Sequence, residues 1–320
     1  MISLIMTVKN EHMHLPAWFE SIQKQTVQPD EIVIVDGGST DRTVDLLGNY
    51  ADNNKAVRIY TKAGNISVGR NEAIRQAKGN IIIATDAGCT YDSAWIERLV
   101  TTLREENALF VTTAFGPWLE MGDSLSVYGI AAATIPAPHE FQKKWLPSSR
   151  TVAFRKELWE KVGGYPEWLP ICEDIVFDLT IQQHGVTPVF LREPLVFWRP
   201  RATVGAYLRQ LFGYTRSDGH AKLFLHRQLI RYTVYGVSIL FALYGQWIIL
   251  GVGVLIYMWK FWRRWWMFTK AKSLFFRTIG FLYVPLLVAL GDGAKMLGWI
   301  VGVWERRSGK VAYRPLISRS

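Results

Sequence analysis

Short β-branched runs at residues 2–8, 31–35, 57–60, 81–85 and 109–113 alternate with stretches of helical period through the first half of the chain. A strand that follows each helix in this way is parallel to the one before it, and the helices must then cover both faces of the sheet. Leu15, Trp18, Phe19 and Ile22 share one helical face behind Pro16, which suits a first helical turn. Residues 40–47 and 68–77 are read as two further helices. The expected class is therefore α/β, a mixed and mainly parallel sheet with helices on both faces. Residues 115–149, rich in proline and aromatics, are read as an irregular insertion.

In such a sheet, ligands bind outside the carboxyl ends of the strands. Two of the predicted strands end there in an acid with glycine close behind: Asp36, Gly37 and Gly38 after the second, and Asp86, Ala87 and Gly88 after the fourth. Neither forms G-x-G-x-x-G, so a dinucleotide-binding reading lacks its main support. An acid at a strand end can accept hydrogen bonds from a base or ribose, while Ser39, Thr40 or Asp41 caps the next helix.

The last third differs in kind. Residues 232–258 carry no charge, enough for one tilted membrane span or for two short helices meeting at Tyr244, Gly245 and Gln246. Residues 259–277 then hold six Lys/Arg and four Trp, the composition of a membrane interface. A single span would put that basic stretch on the face opposite a cytoplasmic N-terminal domain, which favours a hairpin or re-entrant pair. A second apolar stretch, 279–304, contains Asp292 and Lys295 at i, i+3, placed to neutralise each other.

The formal charge of +10 is confined to the same region: residues 1–230 carry 24 Lys+Arg against 25 Asp+Glu, and residues 231–320 carry 13 against 2. Interleaved with tryptophan, that excess points to an anionic membrane surface and away from nucleic acid. Cys89 and Cys172 are the only cysteines and form no C-x-x-C pair, which excludes a disulfide framework. The N-terminal apolar run has no basic segment ahead of it and reads as a strand, not a signal sequence. The expected domains are residues 1–220 and a membrane-anchoring 221–320.

Five segments in order give the chain a resemblance to a known family. They are Thr7-Val8-Lys9-Asn10-Glu11; Val35 through Asp41; Gly69-Arg70-Asn71-Glu72-Ala73; Thr85-Asp86-Ala87-Gly88; and Arg150 through Arg155, with Val162-Gly163-Gly164-Tyr165, leading into Cys172-Glu173-Asp174. This order resembles glycosyltransferase family 2, inverting enzymes of the GT-A fold, and in particular its membrane-attached bacterial or archaeal type.

The resemblance implies that Thr7, Asn10, Glu11, Asp36, Gly37, Arg70, Asn71 and Asp86 form the nucleotide-sugar side. It implies that Asp174 is the general base, with Glu173 beside it. Two acids in a first helical turn are also favoured by the helix dipole alone. The family's D-x-D usually gives a second carboxylate to Mg²⁺ or Mn²⁺; here Gly88 stands in that place, leaving Asp86 with the donor's phosphates and water. Arg150 is placed to offset phosphate charge. Residues 207–216 form a basic amphipathic stretch in which Arg209, Gln210 and Arg216 are candidates for acceptor or lipid-phosphate contact. The Q-x-x-R-W of the family's processive members is missing, since Gly213 and Tyr214 stand where Arg and Trp would be, which implies one sugar per acceptor.

The expected function is inverting transfer of one sugar from a UDP- or GDP-sugar to a lipid-linked or polyprenyl-phosphate acceptor at the cytoplasmic membrane face. The alternative is a non-catalytic, membrane-bound module that binds a nucleotide-sugar.

Overall fold

The computed structural model describes residues 1–141 and 146–311. They divide into two compact units, the first built from Met1–Trp118 with Ala137–Arg199, the second from Leu119–Pro136 with the chain from Pro200 onward.

The first unit is a mixed eight-stranded sheet in the order β3-β2-β1-β4-β7-β6-β8-β5. β1 (Ile2–Val8), β2 (Glu31–Asp36), β3 (Val57–Thr61) and β4 (Ile81–Thr85) run parallel and alternate with α1 (Leu15–Gln23), α2 (Thr43–Asp52) and α3 (Ile66–Gln76), as the sequence pattern requires. Beyond β4 lie β5 (Cys89–Tyr91), α4 (Trp95–Glu105) and β6 (Phe110–Pro117). They are followed by β7 (Val152–Arg155), α6 (Lys156–Val162), α7 (Glu173–Gln183) and β8 (Val189–Trp198). β7 is antiparallel to both β4 and β6, which makes the sheet mixed.

The period of two along a strand sends alternate side chains to opposite faces. Leu4, Met6 and Val8 of β1 therefore join Leu15, Trp18, Leu47 and Leu99 in one core, while Ile5 joins Val33, Val35, Ala73, Ile74 and Phe177 in the other. Both faces of β1 are buried, and the helix-forming stretches between strands supply the covering layers. Thr7 faces the second layer. Gly69 passes directly over it: a Cβ there would lie 2.0 Å from Thr7 Oγ1, so only glycine lets α3 sit this close to β1.

The 115–149 segment is less irregular than expected. β6 continues to Pro117, and α5 (Leu125–Thr134) occupies its middle, with the Ser124 hydroxyl accepting from the Val127 N–H at its start. Three consecutive alanines, Ala131 to Ala133, favour the helix, and a tertiary contact completes it, since a Cβ on Gly129 would lie 2.6 Å from Leu287. Residues 142–145 of that segment lie outside the described residues.

The second unit is helical: α5, α8 (Val204–His220), α9 (Leu225–Leu243), α10 (Trp247–Phe268) and α11 (Leu274–Arg307). The expected boundary at 220 moves back to 200, because α8 packs along α11. Glycines make that approach possible. A Cβ on Gly291 would meet Tyr207 Oη at 2.3 Å, one on Gly298 the Phe212 carbonyl at 2.3 Å, and one on Gly302 the Arg216 carbonyl at 2.0 Å. Gly298 and Gly302 form the small-x-x-x-small spacing that brings helix backbones together.

The expected break at Tyr244, Gly245 and Gln246 is present, with Gly245 at φ +68° between α9 and α10. Among the described residues, α11 is the one helix long and apolar enough to cross a membrane by length and composition. Asp292 and Lys295 pair within it at 3.2 Å.

Gly302→Val places two methyl groups against the α8 backbone. We expect it to cost about 1–3 kcal/mol, read as a lower thermal midpoint of the purified full-length protein. An unchanged midpoint would contradict close α8–α11 packing.

Candidate functional site

The site is organised by α3. Arg70, 2% exposed, donates from Nη2 to Asp86 Oδ1 at 2.6 Å and from Nη1 to Glu173 Oε1. One guanidinium thus ties the acid ending β4 to the acid opening α7. Burial by itself would lower the proton affinity of Arg70, but the Asp86 and Glu173 carboxylates reverse this and hold it above its ordinary value.

The same two-sided competition fixes Asp86. Burial opposes its charge, yet Arg70 and then Arg150 outweigh burial and keep its carboxyl below the usual range. Arg150 Nε lies 3.5 Å from Asp86 Oδ2, and its guanidinium covers the Trp198 ring at 4.3 Å. Arg150, expected to offset phosphate charge, thus stands beside the acid that follows β4.

At Glu173 burial wins: despite Arg70, desolvation pushes its carboxyl up to about 7. Asp174 is half-buried, receives the Ser148 hydroxyl at 3.3 Å, and lies in the first turn of α7 behind Cys172, whose φ of +64° turns the chain sharply into the helix. One turn further on, at i+4 from Asp174, is Asp178. It is 2% exposed, its Oδ2 has no hydrogen-bond partner among the described residues, and burial together with Asp174 pushes its carboxyl well up. The sequence reading missed Asp178, although its spacing from Asp174 was the available signal.

Two asparagines staple the α7 approach to α3. Asn65 caps α3 by accepting from the Val68 N–H at 3.1 Å and donates to the Glu167 and Leu169 carbonyls. Asn71 donates to the Tyr165 carbonyl and to Glu167 Oε1, and accepts from the Tyr165 N–H and Trp159 Nε1, all at 2.9–3.0 Å. Asn71, expected to touch the nucleotide-sugar, is therefore a structural tie, both halves of its amide being engaged in a buried position. Gly164, at φ +77°, leaves room for it: a Cβ there would lie 2.8 Å from Asn71 Oδ1.

On the far side of β1, the loops after β1 and β2 are locked together. Asn10, in a left-handed turn at φ +58°, donates its N–H to Ser39 Oγ and accepts from the Thr40 N–H at 2.8 Å. His12 pairs with Asp41, Glu11 pairs with His14, and the Glu11 N–H donates to Thr43, each at 2.7–2.8 Å.

Asp36 is 3% exposed. Its Oδ2 accepts from the Gly38 and Ser39 N–H groups at 2.9 and 3.0 Å, and its Oδ1 accepts from the Ser39 hydroxyl at 2.5 Å. It shapes the loop, helped by Gly38 at φ +86°, instead of presenting a free carboxylate. Gly37 donates its N–H to the Val8 carbonyl at 2.8 Å and Thr7 lies under Gly69, so both sit at the mouth of β1. Asp36 and Asp86 end the two strands flanking β1, roughly 10 Å apart at two strand spacings.

Three expected acceptor contacts lie in the second unit. Arg216 forms a two-pronged pair with Glu305 at 2.6 Å on both arms, which ties α8 to α11. The Gln210 amide meets Tyr214 Oη at 2.9 Å, and Arg209 is exposed on α8.

Of the two positions at which the family's D-x-D carries acids, this chain has a carboxylate at one, Asp86, and none at Gly88. Among the described residues no three His, Cys, Asp or Glu side chains cluster to hold a metal. A Cβ at Gly88 would meet nothing within 4 Å, so the position two residues after Asp86 faces open space.

Residues 3–145 match the model of Glycosyl transferase family 2. The uncharacterized glycosyltransferase EpsJ of Bacillus subtilis is 25% identical over 252 residues, covering 74% of this chain and 71% of its own. The succinoglycan biosynthesis protein ExoA of Rhizobium meliloti is 27% identical over 245 residues, 71% of each. In fold, the chain resembles the mannosyltransferase PcManGT of Pyrobaculum calidifontis, solved with GDP-Man and Mn²⁺, with a TM-score of 0.55 and 17% identity over 97% of this chain and 87% of that one. It also resembles residues 1–349 of S. aureus TarS, solved with UDP-GlcNAc, with a TM-score of 0.50 and 15% identity over 98% and 93%. The ordered motifs, the mixed sheet and these matches together support a family 2 glycosyltransferase, with residues 3–145 as the part that the family model matches.

Proposed function

We propose that the chain transfers one sugar, with inversion, from a nucleoside-diphosphate sugar to a lipid-linked acceptor at a membrane surface. The observation that carries this reading is the Arg70 bridge, which links the strand-end acid Asp86 to the acid pair that opens α7. A donor's diphosphate fits beside Asp86, where Arg150 and the open space at Gly88 lie. The acceptor hydroxyl then attacks the anomeric carbon from the opposite face. The new carbon–oxygen bond forms as the bond to phosphate breaks, the electron pair leaves with the nucleoside diphosphate, and the hydroxyl proton passes to Asp174. Arg150 offsets the charge that develops on the leaving group. A divalent ion bound by Asp86 and the donor's phosphates would add to that offset. Solved structural neighbours hold GDP-Man or UDP-GlcNAc, which makes a GDP- or UDP-sugar the donor to test first.

Membrane attachment rests on the α9–α10 hairpin. Its uncharged arms, 232–243 and 247–258, are 12 residues each, about 18 Å at 1.5 Å per residue and well short of a bilayer core of about 30 Å. The turn satisfies its own backbone, with the Tyr244, Gly245 and Gln246 N–H groups donating to Leu240, Ala242 and Phe241. Arg227 and Arg231 lie at the base of one arm, and Lys260, Arg263 and Arg264 at the base of the other. This suits a re-entrant hairpin dipping from the cytoplasmic face.

A screen of UDP, GDP and their sugars against the full-length protein in lipid, reading binding and donor consumption, tests the proposal; no binding and no consumption by any donor would favour a non-catalytic module. With an active donor, Asp174→Asn should lower kcat by 10²-fold or more while leaving the donor Kd unchanged, on the scale of a lost general base. Near-normal turnover would instead indicate an acceptor phosphate, which needs no base.

Glu173 gives a pH signature. The folded chain holds its proton to about pH 7, whereas an unfolded glutamate releases it near 4.5. The fold binds more protons across that window, so this contribution to stability is present below it and is lost as pH rises through about 7, by up to about 1.4 kcal/mol per pH unit. Denaturation series at several pH values should show Glu173→Gln gaining on the wild type from pH about 5 to 7 and holding level above that.

Gly88→Asp would place a second carboxylate in open space. The Mn²⁺ concentration for half-maximal donor binding should fall on the order of tenfold, following ligand charge count. No change would remove Asp86 as the ion's protein ligand.

A further inference from the structure

Arg199 lies across a strand pair from Gly88. β5 and β8 are antiparallel with Cys89 opposite Trp198, and the next rung sets Arg199 against Gly88, the Arg199 N–H donating to the Gly88 carbonyl at 2.9 Å. Residues that face each other across such a pair send their side chains to the same face, about 5 Å apart. Arg199 therefore leaves the backbone beside the space that a side chain at 88 would fill, where a Cβ would meet nothing within 4 Å.

The guanidinium is already oriented. Its Nη1 donates to the Trp118 carbonyl at 3.1 Å, and it lies over the Trp118 ring, 5.5 Å from the centroid. A carbonyl and an aromatic face are both neutral, so these two contacts aim the charge without cancelling it. Gly88, Trp118, Arg150 and Arg199 all belong to the first unit.

The charges around Asp86 leave a task for such a group. Arg70 faces one oxygen of Asp86 and Arg150 the other. Burial favours the protonated form of Glu173, the second partner of Arg70. Two guanidiniums against one carboxylate leave a single positive charge, whereas a nucleoside-diphosphate sugar brings one negative charge on each of its two phosphates. A third guanidinium at the same opening makes up the difference.

We infer that Arg199 is a second diphosphate-binding arginine, which meets the donor's phosphates across the open position at Gly88 and works on them together with Arg150. The inference rests on the donor reading proposed above and adds to it the residue that balances the second phosphate charge. The planar fork of an arginine suits two phosphate oxygens at once, and its fixed charge lessens the share that a divalent ion has to carry.

The test measures binding, not transfer, on the full-length protein in lipid nanodiscs with EDTA present. UDP and GDP are titrated by calorimetry, and uridine and guanosine by saturation-transfer NMR. With whichever diphosphate binds the wild type, Arg199→Gln should raise Kd about tenfold, the scale of one lost charge-assisted hydrogen bond, and leave the Kd of the matching nucleoside unchanged. Arg199→Lys keeps the charge without the fork and should recover part of the loss. Replacing EDTA by Mn²⁺ should improve diphosphate binding by a larger factor in Arg199→Gln than in the wild type. An unchanged diphosphate Kd in both variants, or a nucleoside Kd raised by the same factor, would overturn the assignment. A wild type that binds neither UDP nor GDP overturns the donor reading as well; one that binds either of them, with both variants indistinguishable from it, loses Arg199 alone and keeps the transferase.

Discussion

A single buried guanidinium carries the catalytic half of this molecule. Arg70 would be costly alone in a protein interior, and an ionised Asp86 would be equally costly without it, because each charge removed from water needs a close counter-charge, while Glu173 accepts a hydrogen bond from the second arm of Arg70. Together they fix where α3, the end of β4 and the start of α7 stand with respect to one another. Acids outnumber the two cations here, with Asp174 and Asp178 added to the pair on Arg70. Burial resolves the surplus by favouring the protonated forms of Glu173 and Asp178, while Arg70 and Arg150 keep Asp86 ionised.

Much of this was legible in the sequence, for identifiable reasons. The strands β1 to β4 and the helices between them announce themselves through period, and the acids at strand ends fall where a parallel sheet must open. The break at Gly245 was readable because a glycine flanked by uncharged helical stretches has few other uses. What sequence hid was the assignment of partners. Asn71 lies inside a motif yet both ends of its amide serve the 165–167 loop, and Arg216 reads as a free cation until α11 brings Glu305 to it across 89 positions of chain. Asp36 closes its own loop by short-range bonds that no spacing rule separates from ligand binding. α5 was obscured because its helix is stabilised by contact with Leu287 more than by any amphipathic pattern.

The second unit illustrates two opposite uses of small residues. Along α8 and α11, glycines at 291, 298 and 302 remove side chains so that backbone meets backbone. Between α9 and α10, Gly251 and its neighbours remove side chains and nothing moves in. Composition alone cannot distinguish these, since both read as small residues in an apolar helix. The difference lies in what the adjoining helices do: α8 is drawn to α11 by the Arg216–Glu305 pair and the Tyr207 contact, whereas α9 and α10 each reach α11 through a tyrosine hydroxyl on Asp292.

The interlocked loops after β1 and β2 have a consequence for recognition. Asn10, Ser39, Thr40, Asp41 and His12 hold one another through backbone and side-chain bonds before any ligand arrives. Ordering a mobile side chain on association costs about 0.5–1.5 kcal/mol, and here that entropy has already been lost during folding. A rim so rigid has little capacity to adapt its outline to a different heterocycle. Selectivity among nucleobases would then arise from a stiff template that rejects misfits, with affinity following from how little must be immobilised.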